Sequence, residues 1–508
     1  MRIERTKNAG RNMVFGTVLK IYQIIIPFIM RTIMIYQLGI EYAGLNNLFT
    51  SIFQVLNLAE LGIGAALTCS MYKPIAEDDT DQICALLKLY KKCFNIIGTI
   101  ILGLGVICTP FLPDLINGHI PDDLNLYVLY GLYLVNTVLS YWLFSYKKSL
   151  IFAHQRIDIN SKVLLITNTI QYLGQAFVLF ILKNYYLYLL VAIVCQLLNN
   201  IISAKIVDKI YPKYKPVGKL SKEVTDDIKK KVQGLITNKI GGVILRSTDS
   251  IVISAFLGLT VLAVYQNYYF ILTAIISIIA VIFDACIAGI GNSLVTESSD
   301  KNYTDFCTMT FFICWITSIC CCGLLLLFQP FITLWVGSQY IMEYPLVVCM
   351  VIYFFVYEID SLIGTFKDAA GIWYSDRYRP LITALVNLGL NILLVNIIGL
   401  YGILLSTVIS MVFIGIPWLV YNVFKSLFKN QSLKKYLLLL LKFIALTVIS
   451  CFLSVLILNH IDTGIISDFV IGIIITITIP NIMLFLFFIK SDELHRTLSI
   501  LNRLVKER

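Results

Sequence analysis

The stretch NMVFGTVLKIYQIIIPFIMRTIMIYQL, residues 12–38, decides how this chain is read. It exceeds the roughly 20 apolar residues that a helix needs to cross a bilayer core. It also carries Lys20 and Arg31. A cation inside a spanning helix costs roughly 2.5–3.5 kcal/mol on insertion scales, so it is kept where a partner, a wet cavity or an anionic ligand receives it. The stretch therefore reads both as a membrane span and as a place where something anionic is handled. The preceding MRIERTKNAGRN has the basic character of a signal-peptide start. The apolar run is too long for one and no small-residue cleavage site follows, so the segment is expected to stay as an uncleaved first helix.

The rest of the chain fits this start. It is 58% hydrophobic and 14% charged, with a mean hydropathy of +0.83, whereas soluble domains carry about 25% charged residues. Fourteen candidate spans follow, at approximately 12–38, 44–70, 92–113, 125–146, 162–183, 186–207, 233–257, 261–292, 306–329, 345–366, 380–398, 401–424, 437–458 and 467–489. They are too long and too evenly apolar for barrel strands, and an open sheet cannot satisfy its backbone in lipid. The fold class is thus an all-α integral membrane protein of about 14 transmembrane helices.

Charge orients these spans. With the N-terminus inside and strict alternation, all but six of the 40 Lys and Arg fall in inside segments. The six are Lys20, Arg31, Lys183, Lys239, Arg246 and Lys442, and of these only Lys183 lies in an outside loop. This is a strong positive-inside pattern and predicts that both termini are cytoplasmic. Trp373-Tyr374 and Tyr185-Tyr186 fall at expected interfaces, as aromatic belts do. The 13 cysteines lie mostly in apolar stretches without metal-ligand spacing, and the four histidines are scattered. They read as buried small residues and isolated side chains, not as a metal site.

The longest inside loop divides the chain. It contains Pro212 and Pro216, then Ser221 as an N-cap and KEVTDDIKKKVQGL. Val224, Ile228 and Val232 recur at helical spacing opposite lysines, which predicts an amphipathic helix on the membrane surface. The expected organisation is an N-terminal lobe (1–208), a basic linker (209–232), a C-terminal lobe (233–425), two further helices (426–490) and a basic amphipathic tail (491–508). A faint parallel repeat supports two six-helix lobes: Leu38-Gly39 pairs with Leu257-Gly258, and GIGAAL at 62–67 with GIGNSL at 289–294.

Within the spans, Lys20 and Arg31 are eleven residues apart, about 20° from one face and roughly 16 Å along the axis. Lys239 and Arg246 are seven apart, again about 20° from one face and roughly 10 Å along. Each helix opens one half of the chain and presents two cations in line, which suits transfer of a phosphate group: Arg binds it bidentately and Lys supplies a point charge. The alternative is internal pairing, for Arg246 with Asp249 one turn away, and snorkelling for Lys20. The carboxylates Glu60, Asp249, Asp284, Glu358 and Asp360 also fall in spans. They are candidates for ion coupling or for salt bridges between helices. Glu358 and Asp360 lie about 200° apart on a helix, so they face different surroundings. There is no P-loop and no GxSxG, and the outside loops are short, which argues against an enzyme.

The basic N-terminus, the cationic first span, LG-x4-GL at 38–45, NLAELGIGAAL at 57–67, RSTDSIVISAFLG at 246–258 with Tyr265 beyond it, and the twelve-plus-two plan together resemble the bacterial polysaccharide transporters. These are repeat-unit flippases of O-antigen, capsule and exopolysaccharide within the multidrug/oligosaccharidyl-lipid/polysaccharide exporter superfamily. The resemblance implies a MATE-like pair of six-helix lobes in the bacterial cytoplasmic membrane, without a cofactor beyond a coupling proton or sodium ion. The implied substrate is an undecaprenyl-diphosphate-linked oligosaccharide flipped by alternating access, with Lys20, Arg31, Lys239 and Arg246 on the diphosphate. The implied partners are this lipid-linked oligosaccharide, membrane lipids, a polysaccharide polymerase and other assembly proteins, and no nucleic acid. Competing expectations are a multidrug/cation antiporter, a peptidoglycan-precursor flippase and an outer-leaflet polysaccharide polymerase.

Overall fold

Long apolar runs with no water to satisfy their backbone close their own hydrogen bonds, and every regular element among the described residues is helical, without a strand. The computed structural model describes the backbone of residues 5–60, 63–117, 120–461 and 464–506. Side chains are described there except at 5–10, 13, 59, 65, 227, 230–239, 246, 288 and 500–506. Two compact units divide the chain, Met1–Ala263 and Val264–Arg508.

The first unit contains α1 (Arg5–Gln37), α2 (Ile40–Leu56), α3 (Ile63–Ala76), α4 (Thr80–Cys108), α5 (Leu126–Tyr141), α6 (Lys148–Ala153), α7 (Ile157–Phe177), α8 (Tyr185–Ile210) and α9 (Lys222–Leu257). Side-chain caps start several of them. Asp79, Asn125, Asn184 and Ser221 accept from the first-turn N–H groups of α4, α5, α8 and α9. In the first unit α1 packs on α7, and α2 packs on α9. Gly44 of α2 lies close against the start of α10, where a Cβ would sit 2.5 Å from the carbonyl oxygen of Leu259. The end of α9 is fastened as well: Ser254 donates to Leu115 O (2.8 Å) and the Asn117 side chain to Phe256 O (2.8 Å).

The second unit contains most of α10 (Leu259–Thr296), then α11 (Ser299–Val336), α12 (Tyr344–Ala369), α13 (Trp373–Asp376), α14 (Arg379–Ile398), α15 (Leu400–Ser410), α16 (Ile416–Leu427), α17 (Leu433–Asn459), α18 (Ile465–Phe488) and α19 (Asp492–Lys506). A π-helical turn, Met411–Gly415, joins α15 to α16. The core is aromatic, with Phe306, Phe311, Phe424, Phe428, Tyr436 and Phe443 packed together. The tail helix α19 lays Leu494 into this core.

Among the described residues, 12 helices are long and apolar enough to cross a membrane, or up to 13 if the pair Leu126–Tyr141 and Ser145–Ala153, bent by 43°, is one span. The expected fourteen is not reached. The second expected span, 44–70, is interrupted: α2 ends at Leu56, a 3₁₀ turn covers Asn57–Glu60, and α3 begins at Ile63. The polar pair Asn57 and Glu60 is held there by Tyr141, whose hydroxyl donates to Asn57 Oδ1 and Glu60 Oε2 at 3.3 Å each. Gly64 lets the turn pack tightly, since a Cβ would meet Glu60 Oε1 at 2.7 Å. Glycine and a bound carboxylate together cost the helix its continuity. The expected surface helix at 221–232 is not separate: α9 runs without a break from Lys222 to Leu257.

Candidate functional site

In the first unit the polar groups gather around α2. Arg31, half-buried on α1, donates through Nη1 to Asn47 Oδ1 at 3.3 Å and through Nη2 to Ala263 O at 3.1 Å. Beside Asn47, Asn46 accepts from the Tyr133 hydroxyl, which lies 2.8 Å from the Tyr185 hydroxyl. Further along α2, Gln54 Oε1 accepts from Ser247 of α9 at 3.1 Å. The series Asn46, Asn47 and Gln54 on α2, continued by Asn57 and Glu60 in the 3₁₀ turn after it, thus forms a polar seam. Its aromatic wall is Phe49, Phe53, Tyr130 and Tyr133, with ring centroids 5.1–6.2 Å apart. The sequence reading singled out Glu60 alone from this seam. Its signal was present as an Asn-Asn pair, a Gln and an Asn inside an apolar run.

Lys20 lies on the same helix as Arg31 and is partly exposed. Lys239 and Arg246 belong to the backbone of α9, but their side chains lie outside the described residues. Asp249 is buried on α9 at 8% exposure, flanked by buried Thr248 and Ser250.

In the second unit the three expected carboxylates have three different surroundings. Asp284 is exposed on α10. Asp360 accepts from Arg379 Nη1 at 3.1 Å, and Arg379 Nε also binds Asp376 at 2.8 Å. Lys367, 3.5 Å from Asp376, and Asn422 (3.0 Å) complete this network. It joins α12, α13, α14 and α16, so Asp360 sits in a helix-fastening cluster. Glu358 is 1% exposed, and neither carboxylate oxygen has a hydrogen-bond partner among the described residues. It lies within electrostatic reach of Cys320 and Cys321 on α11. The approximately 200° offset between Glu358 and Asp360 is expressed in these separate environments.

A counterpart of the Arg379 network occurs in the first unit. Asp158, fully buried, binds Arg156 (2.9 Å) and Lys162 (3.4 Å), while Lys148 donates to Asn199 and Asn200. Nearby, the His154 ring lies against Tyr211, tilted by 30° with ring centroids 4.2 Å apart, and burial pushes its imidazole pKa down. The second unit further holds a tyrosine row, Tyr265, Tyr269, Tyr353 and Tyr357, with centroids 5.5–6.4 Å apart. It also has an apolar cavity of about 310 Å³ between α10, α11 and α18, lined by Ile271, Ile275, Leu327, Phe331 and Phe469 among others. No group of His, Cys, Asp and Glu among the described residues is arranged to hold a metal ion.

These features meet known proteins at two levels. Residues 9–288 match the family described as "Polysaccharide biosynthesis protein". No curated protein matches the chain in sequence. In structure it is similar to the lipid II flippase MurJ in an inward closed conformation, with a TM-score of 0.63 and 16% identity over 94% of this chain and 98% of that one. It is also similar to an inward-facing multidrug resistance MATE family transporter of the MOP superfamily, with a TM-score of 0.62 and 13% identity over 82% and 99%. A MOP superfamily transporter from Pyrococcus furiosus gives a TM-score of 0.53 at 13% identity over 83% and 94%. With more than half of its length matched to the family, this multi-pass membrane protein belongs to the polysaccharide biosynthesis proteins of the multidrug/oligosaccharidyl-lipid/polysaccharide exporter superfamily.

Proposed function

We propose that the chain flips an undecaprenyl-diphosphate-linked oligosaccharide from the inner to the outer leaflet of the bacterial cytoplasmic membrane, by alternating access of two six-helix lobes. Both termini are then cytoplasmic, and the chain is a transporter without catalysis. The observation that carries this reading is Arg31: a guanidinium within a membrane span, held by an amide oxygen and a carbonyl, beside a seam of amides and tyrosines. The guanidinium suits a phosphate group, and amides and hydroxyls suit sugar hydroxyls. Lys20, Lys239 and Arg246 are assigned to the same diphosphate. Glu358 is assigned to a coupling proton, ahead of Glu60, Asp249, Asp284 and Asp360, because it alone combines deep burial with a carboxylate lacking hydrogen bonds among the described residues.

A peptidoglycan-precursor flippase is the second reading. It is favoured by the reach of the MurJ likeness over 94% of this chain, against 82% for the multidrug transporter. Both readings share a lipid-linked diphosphate and differ in the glycan. The test is Arg31→Ala with Arg246→Ala in cells whose surface polymer is scored. Loss of polymer at normal protein level is expected, and normal polymer overturns the assignment. Rescue of a strain lacking its peptidoglycan-precursor flippase would select the second reading.

A further inference from the structure

Between α16 and the start of α17 a groove of about 690 Å³ opens on the surface of the second unit. This volume falls in the approximately 300–1,000 Å³ range of ligand sites. Its walls are apolar, with Val412, Ile416, Val420, Leu437 and Leu440 among them, and Lys425 and Lys429 stand at one end. The deep end is the π-helical turn Met411–Gly415 followed by Pro417. A π-turn widens a helix locally and often marks a functional position. Here Pro417 also lacks the N–H that would close a regular ladder.

The charge is one-sided at the mouth. Lys425, Lys429, Lys434 and Lys435 are all exposed, and none forms an ion pair among the described residues. Lys425 leans over the Tyr421 ring, 5.3 Å from its centroid. The nearby carboxylate, Asp300, accepts from Gln431. From Val412 to Lys425 the groove runs along about 20 Å of helix. One leaflet contributes about 15 Å of hydrocarbon, half of a ~30 Å core. A groove as deep as one leaflet, greasy inside and basic at its mouth, matches a single two-part lipid.

We propose that this groove binds one anionic membrane phospholipid, with an acyl chain between α16 and α17 and its phosphate on Lys425 and Lys429. The site is separate from the residues assigned to transport and does not depend on that assignment. The test uses the full chain, purified in detergent with equal phosphatidylglycerol and phosphatidylethanolamine of matched chains, and counts retained lipid by native mass spectrometry. Preferential retention of phosphatidylglycerol is expected. Lys425→Gln with Lys429→Gln should weaken it about thirtyfold, from ~1 kcal/mol per basic residue at a membrane surface and tenfold per ~1.4 kcal/mol. Leu437→Trp, which fills the groove from an exposed position, should lower retention of both lipids while the lysines remain. Equal retention of the two lipids, unchanged retention in the double lysine variant, displacement by inorganic phosphate, or preference for a polyprenyl phosphate would each overturn the proposal.

Discussion

Gly44→Ala is the sharpest probe of how Arg31 is positioned. A Cβ at residue 44 would lie 2.5 Å from Leu259 O, 3.2 Å from Leu259 C and 3.3 Å from Leu259 Cβ. Real Cβ atoms essentially never come within 3.0 Å of a neighbour, so one backbone must retreat by at least about half an ångström. The obstacle is a carbonyl, so rotamer change gives no relief. Overpacking of this kind costs about 1–3 kcal/mol. At about 2–4 °C per kcal/mol for a unit of this size, the melting temperature should fall by about 2–12 °C. The same displacement acts on Arg31, because Ala263 lies one turn beyond Leu259 on α10. Its hydrogen bond to Arg31 is 3.1 Å, near the long end of the N–H···O range of about 2.7–3.2 Å. The half-ångström retreat breaks it if it runs along the bond. Gly103→Ala is the control, since nothing lies within 4 Å of a Cβ there, and alanine in a helix gains roughly 0.5–1 kcal/mol over glycine. The assay is thermal unfolding in lipid nanodiscs together with surface-polymer scoring. A Gly44→Ala protein as stable as wild type would refute the close approach. Reduced stability with undiminished export would refute the link to Arg31.

Three further outcomes are expected. Asp376→Ala removes a fully buried carboxylate from Arg379 and Asn422 and should cost about 3–5 kcal/mol; the Asp376→Ala/Arg379→Ala pair should cost less than the sum, and strict additivity in a double-mutant cycle would dissolve the network. His154 has its pKa pushed below the usual value by burial, so the unfolded chain protonates first as pH drops below about 6.5. Stability should therefore fall with pH until the folded-state pKa is passed, and His154→Phe should flatten that part of the melting-temperature profile. Glu358→Gln keeps the side chain's shape and removes its proton exchange; folding should persist while export loses its response to an imposed proton gradient, and a retained response would reassign coupling to another carboxylate.

Much of the helical plan was legible because lipid imposes one rule, a long apolar run, and α10, α11, α17 and α18 obey it plainly. The break in the second expected span was less legible. The apolar run through 57–64 reads as one span, and the break is understood only once Tyr141, far along the chain, is seen holding Asn57 and Glu60. The surroundings of Asp360 were illegible for a similar reason. Arg379 and Asp376 lie beyond the helix in sequence, and only the reversal through α13 brings them back to it. The seam on α2 was missed because charge stands out in an apolar run and amides do not, although Asn46 and Asn47 engage Tyr133 and Arg31 directly.

The unbroken run of α9 has a mechanical consequence. Its 36 residues make a rod of about 54 Å, some 24 Å longer than a ~30 Å hydrocarbon core. The lysine-rich start of α9 is therefore a continuous helical extension of that span, not a slack tether. Compliance must lie just before it, at 211–221, where Pro212, Pro216 and a left-handed Gly218 (φ +92) interrupt regular structure. That short joint is itself clamped, by Lys88 on Gly218 O (3.2 Å), by Cys84 Sγ on Lys213 O (3.8 Å) and by the tilted contact of the His154 ring with Tyr211. Movement of this helix start is thus resisted at several small, separable contacts of the joint, besides the packing of α9 on α2.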